Sequence, residues 1–185
     1  MRKLNVFNFI TLNGFYKGAG DDISWNQHNS DENEHAADSL KSGNILLFGR
    51  VTYEMMAGFW PSPMAMQQMP EVAEGMNRAE KIVFSRTLRN PQWQNSRVVS
   101  NNIIEEVREL KRSPGKDLTI LGSGSIISLF ADAGLIDEYE IMINPVAIGS
   151  GTSIFNGIQK PLHLKLTNSK AMKSGILLLN YSAIK

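Results

Sequence analysis

The sequence predicts an α/β fold: three layers, with a mostly parallel central sheet, helices on both faces and a C-terminal antiparallel hairpin. Three observations predict it. Short apolar runs such as Ile45-Leu46-Leu47-Phe48 and Ile82-Val83-Phe84 suit strands covered on both faces. Segments of helical periodicity alternate with them, the mark of repeated βα units. Near the end, Leu162, Leu164 and Leu166 alternate with His163, Lys165 and Thr167 ahead of a last apolar run, the pattern of a half-exposed hairpin.

Residues 4–12 are rich in β-formers and end at Asn13-Gly14, a strand followed by a turn. The polar stretch 17–30 reads as a loop. Asp31, with Glu34 three residues on, resembles a capping box; Ala36, Ala37 and Leu40 give the helix a modest apolar face, and Gly43 stops it. Residues 45–48 form a buried strand that runs into Gly49-Arg50 and a helix carrying Val51, Met55, Met56 and Phe59. Trp60-Pro61-Ser62-Pro63 breaks that helix and opens the least regular region. Six of the nine Met residues lie between positions 55 and 76, as an adaptable ligand wall or as gap-filling core or subunit interface. Residues 82–84 make a strand ending at Ser85-Arg86, and Val98-Val99 a short one. Asn102 caps a helix with Glu105 at its third position and Ile103, Ile104, Val107 and Leu110 inside; Ser113-Pro114-Gly115 closes it. Residues 118–121 form a strand, followed by Gly122-Ser123-Gly124-Ser125 and a helix to Ala133, with Gly134 as its stop. Residues 139–148 read as a long strand, and 176–184 complete the hairpin.

A chain of 185 residues is one domain, here 1–185, with a core of ordinary size. Net charge is +1, from 19 Lys+Arg against 18 Asp+Glu, which argues against a nucleic-acid or acidic-membrane partner. The absence of Cys excludes disulfides, thiol nucleophiles and thiolate metal sites. The N-terminus lacks the apolar core of a signal peptide and no apolar run nears the roughly 20 residues that span a bilayer, so the expected location is cytoplasmic.

In an open parallel sheet, ligands bind beyond the carboxyl ends of the strands. Three strand ends carry small residues, hydroxyls or a guanidinium: Phe48-Gly49-Arg50-Val51-Thr52, Phe84-Ser85-Arg86 and Leu121-Gly122-Ser123-Gly124-Ser125. Glycines between strand and helix let a ligand approach the backbone, and a helix N-terminus offers amides and positive dipole to phosphate. Arg50 and Arg86 add rigid cationic forks, so the set suits a ligand with separated phosphates. Each feature taken alone also fits a tight turn, a helix cap or a solvated surface charge. Gly-x-Gly-x-x-Gly is incomplete, because position 127 is Ile127. His28, His35 and His163 lack metal-ligand spacing, and no nucleophile elbow or P-loop lysine is present, so no metal is expected.

Taken in order, these stretches resemble the dihydrofolate reductase fold family. The likeness is nearest to the branch holding the C-terminal reductase domain of bifunctional riboflavin-biosynthesis enzymes and its stand-alone relatives. The resemblance is carried by Thr11-Leu12-Asn13-Gly14, by residues 47–54, 81–86 and 120–125, by Gly134-Leu135-Ile136-Asp137-Glu138-Tyr139, and by Asn144-Pro145-Val146 through Gly149-Ser150-Gly151 to Phe155. It implies an NADPH-dependent reductase of a small-molecule substrate, often a homodimer. Gly49, Arg50 and Thr52 would hold cofactor phosphates, and Phe84, Ser85 and Arg86 would meet the adenosine side. The turn from Leu121 through Gly122, Ser123, Gly124 and Ser125 to Ile126 would meet the pyrophosphate and nicotinamide half. Ile10 and Tyr16 would flank the nicotinamide, and Thr152 or Ser153 would reach in from the late loop. Two departures stand out: Asn13-Gly14 replaces the usual Asp-Gly, and Ser123 interrupts a Gly-Gly-Gly turn, placing a hydroxyl where pyrophosphate is expected. Dihydrofolate reductases carry a buried carboxylate a few residues past a loop Trp. Trp25 matches that Trp, but the matching position falls near Ser30, leaving Asp31, Glu32 or water as the proton source, with exposed helix capping as the other role of the two carboxylates. Trp25, Trp60 and part of the Met cluster would wall the substrate, or else belong to the core. Three readings follow: reduction of a small heterocyclic or sugar-derived substrate; the riboflavin-pathway reduction of a ribosylaminopyrimidine phosphate, with Lys17 or Arg78 as phosphate ligands; or a non-catalytic NADP-binding sensor.

Overall fold

A computed structural model of the chain describes residues 1–26 and 29–184; His28 lies outside them. Eight strands form one sheet. In chain order they are β1 (Leu4–Thr11), β3 (Ile45–Gly49), β4 (Lys81–Phe84), β5 (Ser96–Val99), β6 (Leu118–Leu121), β7 (Glu138–Asn144), β9 (Leu164–Ala171) and β10 (Leu177–Ala183), and two short ones, β2 (Phe15–Gly18) and β8 (Gly151–Ser153), pair separately. The order across the large sheet is β5-β4-β3-β6-β1-β7-β10-β9. The pairings from β5 to β7 are parallel, whereas β10 runs antiparallel to both β7 and β9. The expected hairpin is thus the sheet's far edge.

Six α-helices are described: α1 (Ser30–Lys41), α2 (Arg50–Phe59), α3 (Pro63–Gln68), α4 (Pro70–Arg78), α5 (Ile103–Arg112) and α6 (Gly124–Asp132). Strand alternation sorts the core into two layers. Ile45, Leu47, Ile82, Leu118 and Ile120 pack on one face with Val107 of α5 and Ile126, Ile127 and Phe130 of α6. Leu46, Phe48 and Val83 point the other way and meet Ala37 of α1, Tyr53 of α2, Ala65 of α3 and Val72, Ala73 and Met76 of α4. A third cluster of Met142, Met172, Ile176 and Leu178 seats the hairpin against Phe7 and Phe9.

Several boundaries differ from those expected. The irregular region holds α3 and α4, because Pro63 and Pro70 sit at helix starts, where a missing N–H costs nothing, and the Ser62 hydroxyl caps α3 through Ala65 N–H. Asn29, not Asp31, caps α1: its side chain accepts from Glu32 N–H at 3.2 Å. Asn102 precedes α5 in the left-handed region and makes no side-chain cap bond. β7 stops at Asn144, and the residues after it turn toward β8, which pairs with β2, a strand whose last two residues take the start of the expected loop.

Candidate active site

The helix-starting turns at the ends of β3 and β6 meet at one edge of the sheet. Gly122 (φ +58°) and Ser123 (φ +61°) both take left-handed conformations, which swing the chain from β6 into α6. The Ser123 hydroxyl accepts Gly49 N–H at 2.9 Å, tying the β6–α6 turn to the β3–α2 turn. Ser123 is only 6% exposed, so this hydroxyl clasps the two turns, and its own proton remains for a further acceptor at the cleft. A Cβ on Gly122 would lie 3.1 Å from Thr52 Cγ2, so the first turn of α2 packs on the same spot. The α6 N-terminus adds amides that helix geometry leaves without intrahelical partners. Tyr16 of β2 lies over it: a Cβ on Gly124 would fall 2.9 Å from Tyr16 Cε1. At the start of α2, Arg50 pairs with Glu54 at 2.9 Å on an exposed surface, a pair weak enough to open for a stronger anion.

These turns form one end of a cleft of about 810 Å³, a volume typical of small-molecule sites. The other end lies two strands away. Register aligns Leu121 of β6, Phe7 of β1, Glu140 of β7 and Asn180 of β10 in one row across the sheet. At about 4.8 Å per strand, roughly 10 Å separates the β6 turn from the Glu140 strand. Above that end, α1 brings Glu32, which lines the cleft and is 0% exposed. His35, one turn further along α1, bonds Glu140 Oε1 at 2.8 Å, and Asn180 Nδ2 donates to Oε2 at 2.7 Å. Burial pushes the Glu140 carboxyl up, but the bond to His35, the charge of His35 and the Asn180 amide outweigh it and hold the group below the usual carboxylate range. Met55, Met56, Phe59, Trp60, Met69 and Met76 supply an apolar wall.

The cleft gathers most of the expected residues: Tyr16, Trp25, Glu32, Gly49, Arg50, Thr52, Trp60, Phe84, Leu121, Gly122, Ser123, Gly124, Ser125 and Ile126 all line it. Six lie elsewhere. Ile10 is half-buried against the larger core cluster. The Ser85 hydroxyl accepts from Thr87 and Leu88 N–H in its own turn, and Arg86 is exposed beyond it. Thr152 and Ser153 pair with β2. Asp31 accepts Lys173 N–H at 2.9 Å and Ser174 N–H at 3.4 Å, so it clips α1 to the turn between β9 and β10. Exposed capping therefore describes neither carboxylate: Asp31 is a clip and Glu32 is buried. Lys17 lines the cleft with its ammonium bonded to Asp21, whereas Arg78 is exposed and pairs with Glu74. The sequence reading missed Glu140, although a charged residue between Tyr139 and Ile141 inside a buried strand was a signal for it. Among the described residues, no group of His, Asp or Glu is arranged to hold a metal, and no helix is long and apolar enough to cross a membrane.

Residues 2–178 match the RibD C-terminal domain family, and the chain belongs to that family. It is 30% identical over 172 residues to the uncharacterized protein YyaP of Bacillus subtilis (strain 168), covering 93% of this chain and 90% of that one. In three dimensions it resembles a Shewanella sp. PV-4 protein ascribed to riboflavin biosynthesis, with a TM-score of 0.77, 21% identity and 99% of each chain covered. It also resembles the dihydrofolate reductase of Enterococcus faecalis complexed with NADP(H) and RAB-propyl, with a TM-score of 0.64 and 16% identity over 99% of this chain and 97% of that one. The fold is thus the one that this dihydrofolate reductase shares.

Proposed function

We propose that this protein is an NADPH-dependent reductase that transfers a hydride to a small cyclic substrate. The observation that carries the reading is the single cleft joining the β3 and β6 turns to the buried carboxylate end under α1. The residues fit a dinucleotide. Side-chain-free glycines line the cleft, the α6 N-terminus abuts them, and the Tyr16 ring lies so close over Gly124 that only a glycine fits beneath it. Arg50 and the first amides of α6 would hold the phosphates. When bound, NADPH supplies the hydride from its nicotinamide ring.

The chain's own residues do the remaining work. Tyr16, Trp25 and the methionine wall exclude water and press a flat substrate against the Phe7 row. Glu32, buried at the substrate end, holds the proton that must accompany hydride addition. Glu140, fixed by His35 and Asn180, orients the ring through a second acceptor. Membership of the RibD C-terminal domain family supports a second reading, reduction of a ribosylaminopyrimidine phosphate. The test is NADPH oxidation followed by absorbance across a panel of cyclic substrates, repeated with Glu32→Gln. A proton donor contributes about 10²–10⁴-fold, so the variant should lose turnover of that order while still binding NADPH. A variant that turns over like the wild type would remove Glu32 from this role.

A further inference from the structure

We infer that the cleft continues beneath α1 into a polar pocket that takes a neutral, hydroxyl-bearing arm of the substrate, with Asn5, Asn44 and Thr119 as its walls. This rests on the reductase reading for the occupant of the cleft and adds a second feature that the occupant must carry.

The first observation is the space itself. The lining of the cleft does not stop at the row of Phe7 and Leu121. It runs on through Asn5 of β1, Thr119 of β6 and Leu46 of β3 to Ser39, Ser42 and Asn44 at the far end of α1. Register puts Asn5 beside Thr119 and Thr119 beside Leu46. Strand alternation keeps these residues on the sheet face of Phe7 and Leu121, about 6.6 Å further down the strands. Helix α1 fills that space poorly. Ala36 and Ala37 are small, and Leu40, its one large apolar residue, packs on α4, where a Cβ on Gly75 would fall 2.9 Å from Leu40 Cβ. Ser39 and Ser42 are exposed, so the passage reaches solvent on the side away from the turns of β3 and β6.

The second observation is the chemistry of the walls. Asn5 Oδ1 is buried without a hydrogen-bond partner among the described residues. A buried acceptor is costly to leave unpaired, and a donor on the ligand would satisfy it. In the same row, Thr119 Oγ1 accepts Asn44 Nδ2 at 3.0 Å, which leaves the Thr119 hydroxyl its own proton to donate. A ligand hydroxyl gives one hydrogen and accepts another, so a single group answers both walls.

The third observation is charge. Asn5, Ser39, Ser42, Asn44 and Thr119 are all neutral, and the cations among the described lining residues, Lys17 and Arg50, stand on β2 and α2, toward the turns. Each is already held by a carboxylate, Lys17 by Asp21 and Arg50 by Glu54. A carboxylate or phosphate on the arm would lose hydration without gaining a counter-ion from this lining. An alkyl arm would leave Asn5 Oδ1 unpaired. The walls therefore favour a neutral polar arm over both.

The test is calorimetry on the full chain, with NADPH titrated first, then indole, 3-propylindole, indole-3-propanol and indole-3-propionate as probes. Indole-3-propanol should bind about tenfold more tightly than either the propyl or the propionate probe. Asn5→Leu should erase that preference and leave the affinities for indole and NADPH unchanged. Ser39→Trp, at an exposed helix position, should block the passage and cost indole-3-propanol about tenfold with indole unchanged, and it carries the test should Asn5→Leu fold poorly. No binding of indole-3-propanol, equal affinities for the propanol and propyl arms, or a preference that survives Ser39→Trp would overturn the inference. NADPH binding without discrimination between the arms defeats this inference alone. Discrimination between the arms without NADPH binding defeats the reductase reading and sustains the pocket beneath α1.

Discussion

Ser123 tests whether the turns after β3 and β6 are held by one clasp. Ser123→Ala removes the acceptor that takes Gly49 N–H at 2.9 Å, at a site too buried for water to replace it freely. An unsatisfied donor there costs about 1–2 kcal/mol. For a chain of this length each 1 kcal/mol moves the melting temperature by about 2–4 °C, so the Ala variant should melt about 2–8 °C lower. Ser123→Gly loses the same bond, but the residue sits at φ +61°, where an L side chain costs about 1–2 kcal/mol that glycine does not. The two effects offset, and the Gly variant should stay within about 1 kcal/mol of wild type. Both variants untie the turns, so both should weaken NADPH about fivefold, the equivalent of about 1 kcal/mol. Thermal unfolding followed by circular dichroism, with a urea series as a check, reads the stability arm. An Ala variant as stable as wild type, or a Gly variant that falls as far as the Ala variant, would refute the clasp.

Lys81 is buried with its ammonium on the carbonyls of Asn77, Ala79 and Gln94 at 3.2, 2.7 and 3.2 Å and 4.4 Å from the Trp93 ring centroid, so Lys81→Met should cost about 2–4 kcal/mol in urea unfolding. Burial lowers the Lys81 ammonium from 10.5 to about 8; the unfolded chain binds more protons between those values, so this group makes stability rise with pH there, a slope that Lys81→Met should remove. Glu140 is held below its usual range, so its contribution to stability is present at neutral pH and lost as acid carries the pH below about 4.5 and through the folded value; Glu140→Gln should flatten that limb of an acid unfolding curve. Arg86 is exposed past the end of β4, where a 2′-phosphate contact would make Arg86→Ala weaken NADPH more than NADH; equal losses in a paired titration would argue against that contact.

The layering was legible because it is written in local patterns. Ile45-Leu46-Leu47-Phe48 is apolar on both faces, and both faces are covered. The glycine turn after β6 announced a helix start at the sheet edge, and the cleft lies there. What escaped was nonlocal or hinged on one position. Trp60-Pro61-Ser62-Pro63 marked the end of one helix, but Pro63 and Pro70 also begin two others, and the sequence alone showed only the break. β2 and β8 are short and pair across more than 130 residues, so neither carries its own signal. The cap of α1 lies two residues before Asp31, and that shift decides which carboxylate turns inward: Glu32 reaches the cleft while Asp31 serves the hairpin. Glu140 gained its meaning only from register, which sets it beside Phe7 and Asn180 with His35 bonded above it.

The most direct test of the whole account is a calorimetric titration of NADPH into the wild-type chain and into Arg50→Ala. Saturable one-to-one binding, weakened in the variant by about 1–3 kcal/mol, is the predicted result. No binding to wild type, or identical affinity in both proteins, would contradict a cofactor held at the turns of β3 and β6.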